Sequence, residues 1–159
     1  MQKQGAQTST GVTEYTQVYI NGEWVTSTNG AKSLIDVYDS NTGEVFARAP
    51  KGSTTDTARA IEAAADAFQG WSSTSLAERK VYLQKIMSEY MKRQKEVGAN
   101  LQKELGAPKD FAERVQSNMF NMHWAATLAL AEQGAFQWTE DMGDTLIVKE
   151  PIGVVGCIT

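Results

Sequence analysis

Few residues in this chain carry side chains that chemistry needs, and their spacing decides what they can do. Cys157 is the single thiol, set in Val154-Val-Gly-Cys-Ile158. No His, Lys or Arg lies close to it in sequence and no helix starts there, so nothing lowers its pKa toward the thiolate a nucleophile needs. It is expected to act as a small buried hydrophobe. His123, the single histidine, sits in Asn118-Met-Phe-Asn-Met-His-Trp124 without a second His or Cys three or four residues away. That spacing excludes a helical metal pair and predicts a partly buried packing residue. Gly153-Val-Val-Gly156 lacks the third glycine and the helix start of a dinucleotide-binding turn, and it lies inside a predicted strand. Glu104, Asp110 and Glu113 fall at a helix end and a helix start, where capping and solvation account for them better than an acid/base pair does. The side chains alone supply no catalytic group.

The elements that would position these residues are legible from pattern. Residues 1–14 are polar and rich in Gly, Ser and Thr, and are expected to be a flexible tail. Residues 17–52 read as two β-hairpins. Gln17-Val-Tyr-Ile20 and Glu23-Trp-Val-Thr26 flank Asn21-Gly22, a type I′ turn signal. Ser33–Tyr38 and Glu44–Ala49 flank Asp39-Ser-Asn-Thr-Gly43. Residues 53–134 form a helical layer. Ser53-Thr-Thr-Asp56 and Ser75-Leu-Ala-Glu78 are capping boxes, in which the cap hydroxyl and the acid three residues on satisfy each other's backbone amides. Ala58, Ile61, Ala65, Phe68 and Trp71 line the first helix, and Leu83, Ile86, Met87, Tyr90 and Met91 the second. Gly106 is a good stop for the second helix. Pro108 suits the first turn of a third, carried to about Gln133 by Phe111, Val115, Met119, Met122, Ala126 and Leu130. Thr145–Lys149 reads as a strand.

Residues 152–159 are apolar or small on both alternation faces, the mark of a strand covered on both sides in a parallel sheet. Full burial of Ile152, Val154, Val155 and Ile158 is worth on the order of 6–12 kcal/mol. A chain that ends on such a strand is expected to be the front part of something longer. The fold class expected is therefore α/β. N-terminal hairpins and three helices lead into the first strand of a doubly wound parallel sheet, so that 15–159 is the N-terminal part of a Rossmann-like cofactor domain.

Composition narrows the partners. The formal net charge is -4, with no basic face to neutralise phosphates, which argues against nucleic acid and anionic membrane. The densest basic stretch, Lys85–Lys95, is interleaved with Glu89 and reads as a solvated helix face. One cysteine excludes an internal disulfide framework. No secretory signal or span-length apolar stretch is present. A soluble, cytoplasmic protein is expected.

The order of motifs adds what the chemistry does not. Tyr19-Ile-Asn-Gly-Glu-Trp-Val25, then Asp39-Ser-Asn-Thr-Gly-Glu-Val45, resembles the opening of the aldehyde dehydrogenase superfamily, with Asp39-Ser40 where the family reads Asn-Pro. The Ala-rich helix to Ala67-Phe68 and Trp71 matches too. So do Glu78-Arg79, Glu104-Leu-Gly-Ala-Pro108 and Lys149-Glu-Pro-Ile-Gly-Val-Val-Gly156 leading into Ile158-Thr159. The resemblance implies NAD or NADP as cofactor, a small-molecule aldehyde as substrate, and oxidation to the carboxylic acid through a cysteine thiolate and a glutamate-activated water. It places Ile158 and Thr159 at the threshold of the cofactor site. It also implies a monovalent cation held through the carbonyl of Val37 and the side chain of Glu104, and an oligomerisation arm at 145–149 that makes the full-length protein a homo-oligomer. The family's catalytic cysteine, glutamate and oxyanion-hole asparagine match no residue here, and Cys157 does not match the nucleophile's motif. The chain alone is expected to be inactive. Two other readings stand beside this one: a non-catalytic helical and hairpin interaction module, and a related dehydrogenase that passes its acyl group to coenzyme A.

Overall fold

A computed structural model describes residues 5–9 and 11–158. The chain divides into two compact units: residues 1–69 with 103–106 and 154–159, and residues 70–102 with 107–153.

The first unit is built on β-structure. β1 (Ala6–Ser9) and β2 (Val12–Tyr15) pair antiparallel, with Gly11 at φ +82° between them. The stretch expected to be a flexible tail is thus in good part a strand pair, because Val12-Thr-Glu-Tyr15 finds a ladder on each side. Its second ladder is β6 (Val45–Pro50), which pairs parallel to β2 and antiparallel to β5 (Leu34–Tyr38). The sheet order is β1-β2-β6-β5. β3 (Gln17–Ile20) and β4 (Glu23–Thr26) form a separate hairpin around Asn21 and Gly22, both at positive φ, as the Asn-Gly turn requires. Among the described residues of this unit, Ile20 and Ala47 are the buried apolar ones.

The central strand carries an ion-pair relay. Arg48 lies opposite Asp36 on β5 and Glu14 on β2, and donates to both, through Nε at 2.7 Å and Nη1 at 2.6 Å. The Asp36 bond, then the Glu14 bond, raises the guanidinium further above its ordinary range. One side chain thereby ties three strands in register.

Helix α1 (Thr54–Ser72) starts at the first capping box and α2 (Leu76–Leu105) at the second, as expected. In the second unit, α2 packs on a helix made of three parts. These are α3 (Lys109–Phe111), a π-helical turn (Ala112–Gln116) and α4 (Ser117–Glu132). The single helix expected after Pro108 is therefore interrupted. Side chains bond carbonyls at and just after the π-turn: Ser117 Oγ donates to Glu113 O at 2.6 Å, and Tyr90 OH donates to Ser117 O at 2.8 Å. Tyr90 stacks on Phe120 at 4.2 Å. Gly98 makes the approach possible, since a Cβ there would lie 2.9 Å from Glu113 Cα. β7 (Thr139–Asp141) and β8 (Leu146–Val148) form a hairpin, so the expected strand at 145–149 is present but shorter, with an unexpected partner in Thr139–Asp141.

Two expectations about burial fail. Along α1 the apolar stripe is largely exposed, with Ile61 at 56%. Residues 152–158 form no strand, and Ile152 is 91% exposed and Ile158 fully so. A strand exists by its ladder, and no described strand pairs with this segment. The helices with a mixed four-stranded sheet and two hairpins make the fold α/β, and the described strands form no doubly wound parallel sheet. Among the described residues no helix is long and apolar enough to cross a membrane.

Candidate functional site

The turn between β5 and β6 docks on the end of α2, and this junction holds both proposed cation ligands. Asp39 organises the turn. Its carboxylate accepts from the amide of Asn41 at 2.9 Å, and its carbonyl from the amide of Gly43 at 2.7 Å. This is the side-chain-to-backbone closure that makes Asp common in turns. Ser40, next along, points its donors at the helix. Its amide donates to Lys103 O at 2.8 Å and its hydroxyl to Glu104 O at 2.5 Å. The last carbonyls of a helix have no intrahelical partner, so these bonds cap α2 from outside. Gly106, at φ +64°, ends the helix in the left-handed conformation that favours glycine. A Cβ there would sit 3.3 Å from Ser40 Cβ, so the two segments are in close approach. Lys103 Nζ lies 4.8 Å from the centre of the Phe46 ring, a second tie.

Glu104 is exposed, and among the described residues its carboxylate makes no hydrogen bond or ion pair, so its oxygens are available. Val37 is half-buried at the end of β5, where the ladder with β6 slips out of register after it. A carboxylate and a backbone carbonyl are the oxygen donors that alkali cations accept. No cluster of three or more His, Cys, Asp or Glu suited to a metal ion occurs among the described residues.

The proposed cofactor residues stand differently. Ile158 is fully exposed in a segment without regular structure, and Thr159 lies outside the described residues. Cys157 is exposed, not buried as expected, because the strand that would bury it does not form. His123 is also exposed instead of packed. Its carbonyl accepts from Thr127 Oγ1 at 2.9 Å, an ordinary helical back-bond. Asp110 and Glu113 pair with Arg114 and Lys109 one turn away, at 4.0 Å each, as solvated helix residues do.

Two features were not anticipated. At the start of α1, Asp56 is only 4% exposed. It accepts from Ser27 Oγ at 2.7 Å, Ser53 N at 3.0 Å and Thr28 N at 3.2 Å. The Ser27 hydroxyl, followed by the Ser53 amide, holds its carboxyl far below the usual carboxylate range despite the opposing effect of burial. This is an anchor and not a proton donor, since its oxygens are fully committed. In the second unit, a cavity of about 250 Å³ is lined by Leu76, Leu83, Ala131, Phe136 and Trp138, with Arg79 and Lys80 among its walls. Arg79 is already engaged. Its guanidinium stands over Trp71 and Trp138, donates to Thr74 Oγ1 at 2.9 Å and reaches the carbonyls of Trp71 and Ser72. It closes the end of α1 on α2.

The family model for the aldehyde dehydrogenase family matches residues 24–159. A Staphylococcus aureus protein that itself bears only an inferred aldehyde dehydrogenase assignment is 39% identical over 146 residues, covering 92% of this chain. The chain spans about 30% of the length of the curated relatives it matches. Among solved structures, an aldehyde dehydrogenase from Bartonella henselae aligns at 31% identity with a TM-score of 0.76, over 82% of this chain and 27% of that one. Aldehyde dehydrogenase C from Pseudomonas syringae, a mutant in complex with NAD+ and octanal, aligns at 30% identity with a TM-score of 0.75. That match covers 86% of this chain and 27% of the other.

Proposed function

Since the chain belongs to the aldehyde dehydrogenase family, we propose that the whole protein oxidises an aldehyde to a carboxylic acid with NAD or NADP. The nicotinamide, when bound, supplies the hydride acceptor. The observation that carries this reading is the family motifs standing in order on formed elements. The Asn21-Gly22 hairpin, the Asp39–Gly43 turn, the Ser75–Glu78 helix start and the Glu104–Gly106 helix end occur as the motifs require.

Within that activity this chain's residues frame the site and do not perform the reaction. Ile158 and Thr159 stand at the threshold of the cofactor's nicotinamide-ribose end. The carbonyl of Val37 and the carboxylate of Glu104 contribute oxygens to a monovalent cation. The β7–β8 hairpin, with Leu146 and Val148 exposed, supplies the arm through which copies of the protein assemble. On this reading the family's nucleophile and glutamate match no residue here, and the 159 residues alone are expected not to turn over aldehyde.

The test is an assay of the whole protein and of the 159 residues in parallel, following NADH or NADPH formation. Octanal is a reasonable first probe, because the Pseudomonas syringae relative was crystallised with it. Reduction of NAD+ or NADP+ by the whole protein, with acid as product, is the expected result. Product that appears only with added coenzyme A, as a thioester, would move the reaction to the acylating class. Turnover by the 159 residues would overturn their assignment as a frame, and no cofactor reduction across an aldehyde series would overturn the activity.

A further inference from the structure

We propose that Asn21-Gly22, at the tip of the β3–β4 hairpin, is a site of spontaneous deamidation to aspartate and isoaspartate. The chain's other Asn-Gly pair, Asn29-Gly30, is protected from the same reaction by its hydrogen bonds.

The reaction needs water and no other reagent. The Gly22 amide nitrogen attacks the side-chain carbonyl carbon of Asn21 and forms a carbon–nitrogen bond. Its proton leaves with the departing ammonia, and a five-membered succinimide remains. Water then adds to one of the two ring carbonyls and opens the ring. Opening on one side leaves aspartate; opening on the other leaves isoaspartate, whose main chain runs through the former side chain. Nothing is oxidised or reduced. A following glycine favours the attack because no Cβ crowds its nitrogen.

By sequence the two pairs rank equally, and both asparagines are exposed. Their bonds separate them. Asn29 Nδ2 donates to the carbonyls of Lys51 and Gly52, at 3.2 Å each, and the Gly30 amide donates to Ser27 O at 2.8 Å. There the carbon to be attacked is held in place and the attacking nitrogen's proton is committed to a carbonyl. At the hairpin tip neither restraint operates. Among the described residues the Asn21 side chain has no hydrogen-bond partner, and the Gly22 amide makes no turn or loop bond. Gly22, at φ +80°, has open space where a Cβ would stand. Bringing nitrogen onto carbon at Asn21 takes rotations within the turn, whereas at Asn29 three hydrogen bonds must open first. Isoaspartate also lengthens the main chain of a two-residue turn, and turn length fixes the register that pairs Val18 with Val25 and Tyr19 with Trp24.

The experiment ages the whole protein in mildly alkaline buffer, native and in guanidinium chloride, then digests it in mild acid for peptide mass spectrometry. Chromatography separates the aspartyl and isoaspartyl peptides, which share a mass. In denaturant the two pairs should convert at similar rates. In the native state Asn21 should convert at least about tenfold faster than Asn29, whose bonds must open first. No native conversion at Asn21, or conversion of Asn29 at an equal or higher rate, overturns the site. In the aged protein, amide exchange at Val18 and Val25 should be faster in the isoaspartyl fraction than in Asn21→Asp, which carries the charge without the longer main chain. Equal exchange in the two overturns the register effect.

Discussion

Helices α1 and α2 begin with the same four-residue device and use it differently. At both starts a serine hydroxyl accepts from the amide three residues on, Asp56 at 3.0 Å and Glu78 at 3.2 Å. At both, the acid reaches back to the serine amide, at 3.0 Å and 2.7 Å. At α2 the device ends there: among the described residues the Glu78 carboxylate bonds only Ser75, and both are exposed. At α1 the acid is buried, and its remaining capacity is filled from β4's exit, by Ser27 and the Thr28 amide. Thr28 and Ser53 hydroxyls meet at 2.5 Å, and Asn29 Nδ2 bonds the carbonyls of Lys51 and Gly52. The neighbouring strand makes the difference. Both carboxylates are held at the serine amide, but only Asp56 meets the exit of β4 there. A local capping motif has become a tertiary joint at one helix and remained a cap at the other.

The comparison breaks most visibly at Ser27. Replacing Ser27 with alanine removes the shortest bond to Asp56 in a buried setting, and is expected to destabilise the protein by about 1–3 kcal/mol. The loss should spread from the helix start to the Thr26–Thr28 exit, read by amide exchange at Thr28 and Asn29. Ser75→Ala is expected to cost about 1 kcal/mol, the usual value of a lost cap. Its exchange signature should stay within the first turn of α2. Equal costs and equally local signatures for the two variants would mean that the joint at α1 is no more than a cap.

The same division separates what was legible in the sequence from what was not. The Asn21-Gly22 hairpin, both capping boxes and the helix end at Gly106 depend on residues within four or five positions, and each formed where its motif placed it. The parallel pairing of β2 with β6 depends on Thr13 meeting Ala47 and Glu14 meeting Arg48. Nothing in the polar stretch before Tyr15 signals that partner. The π-turn at Ala112–Gln116 keeps an apolar period close to that of a plain helix, so the pattern hides it. Ser27 and Ser40 were passed over because a serine in a turn has no distinguishing neighbour until its distant acceptor is known. Residues 152–158 show the opposite error. Their alternation describes a strand buried on both faces, but composition expresses a capacity for burial, and the ladder must come from elsewhere. For the same reason Cys157 was expected to be buried and is exposed, while His123, expected to be partly buried, lies on an exposed side of α4. Of the site residues, Glu104 and Val37 came from a resemblance in order and spacing, while the bonds by which the Asp39–Gly43 turn caps α2 became visible only in three dimensions.

The smallest effect expected is also the one that distinguishes the two joints by charge. Both acids titrate below their ordinary range, Asp56 chiefly through the Ser27 hydroxyl and Glu78 chiefly through the Ser75 amide. A carboxylate whose folded pKa lies below its unfolded value, about 3.9 for Asp and 4.3 for Glu, adds stability at higher pH. That stability is lost as pH falls through the folded value. Neither contribution should therefore change across neutral pH, and both should fade only below about pH 4. The Asp56 contribution should persist further into acid, because more donors hold its charge. Ser27→Ala removes the largest of them, so its folded pKa returns toward the ordinary range and the acid loss should begin at higher pH than in the wild type. Ser75→Ala should move the acid limb less, since Glu78 is exposed and water screens what the cap contributed. Midpoints measured from neutral pH down into the acid limb decide it. Wild type and Ser27→Ala curves that stay parallel through that limb would show that Asp56 owes its low pKa to its backbone donors, and that the strand contributes position without charge stabilisation.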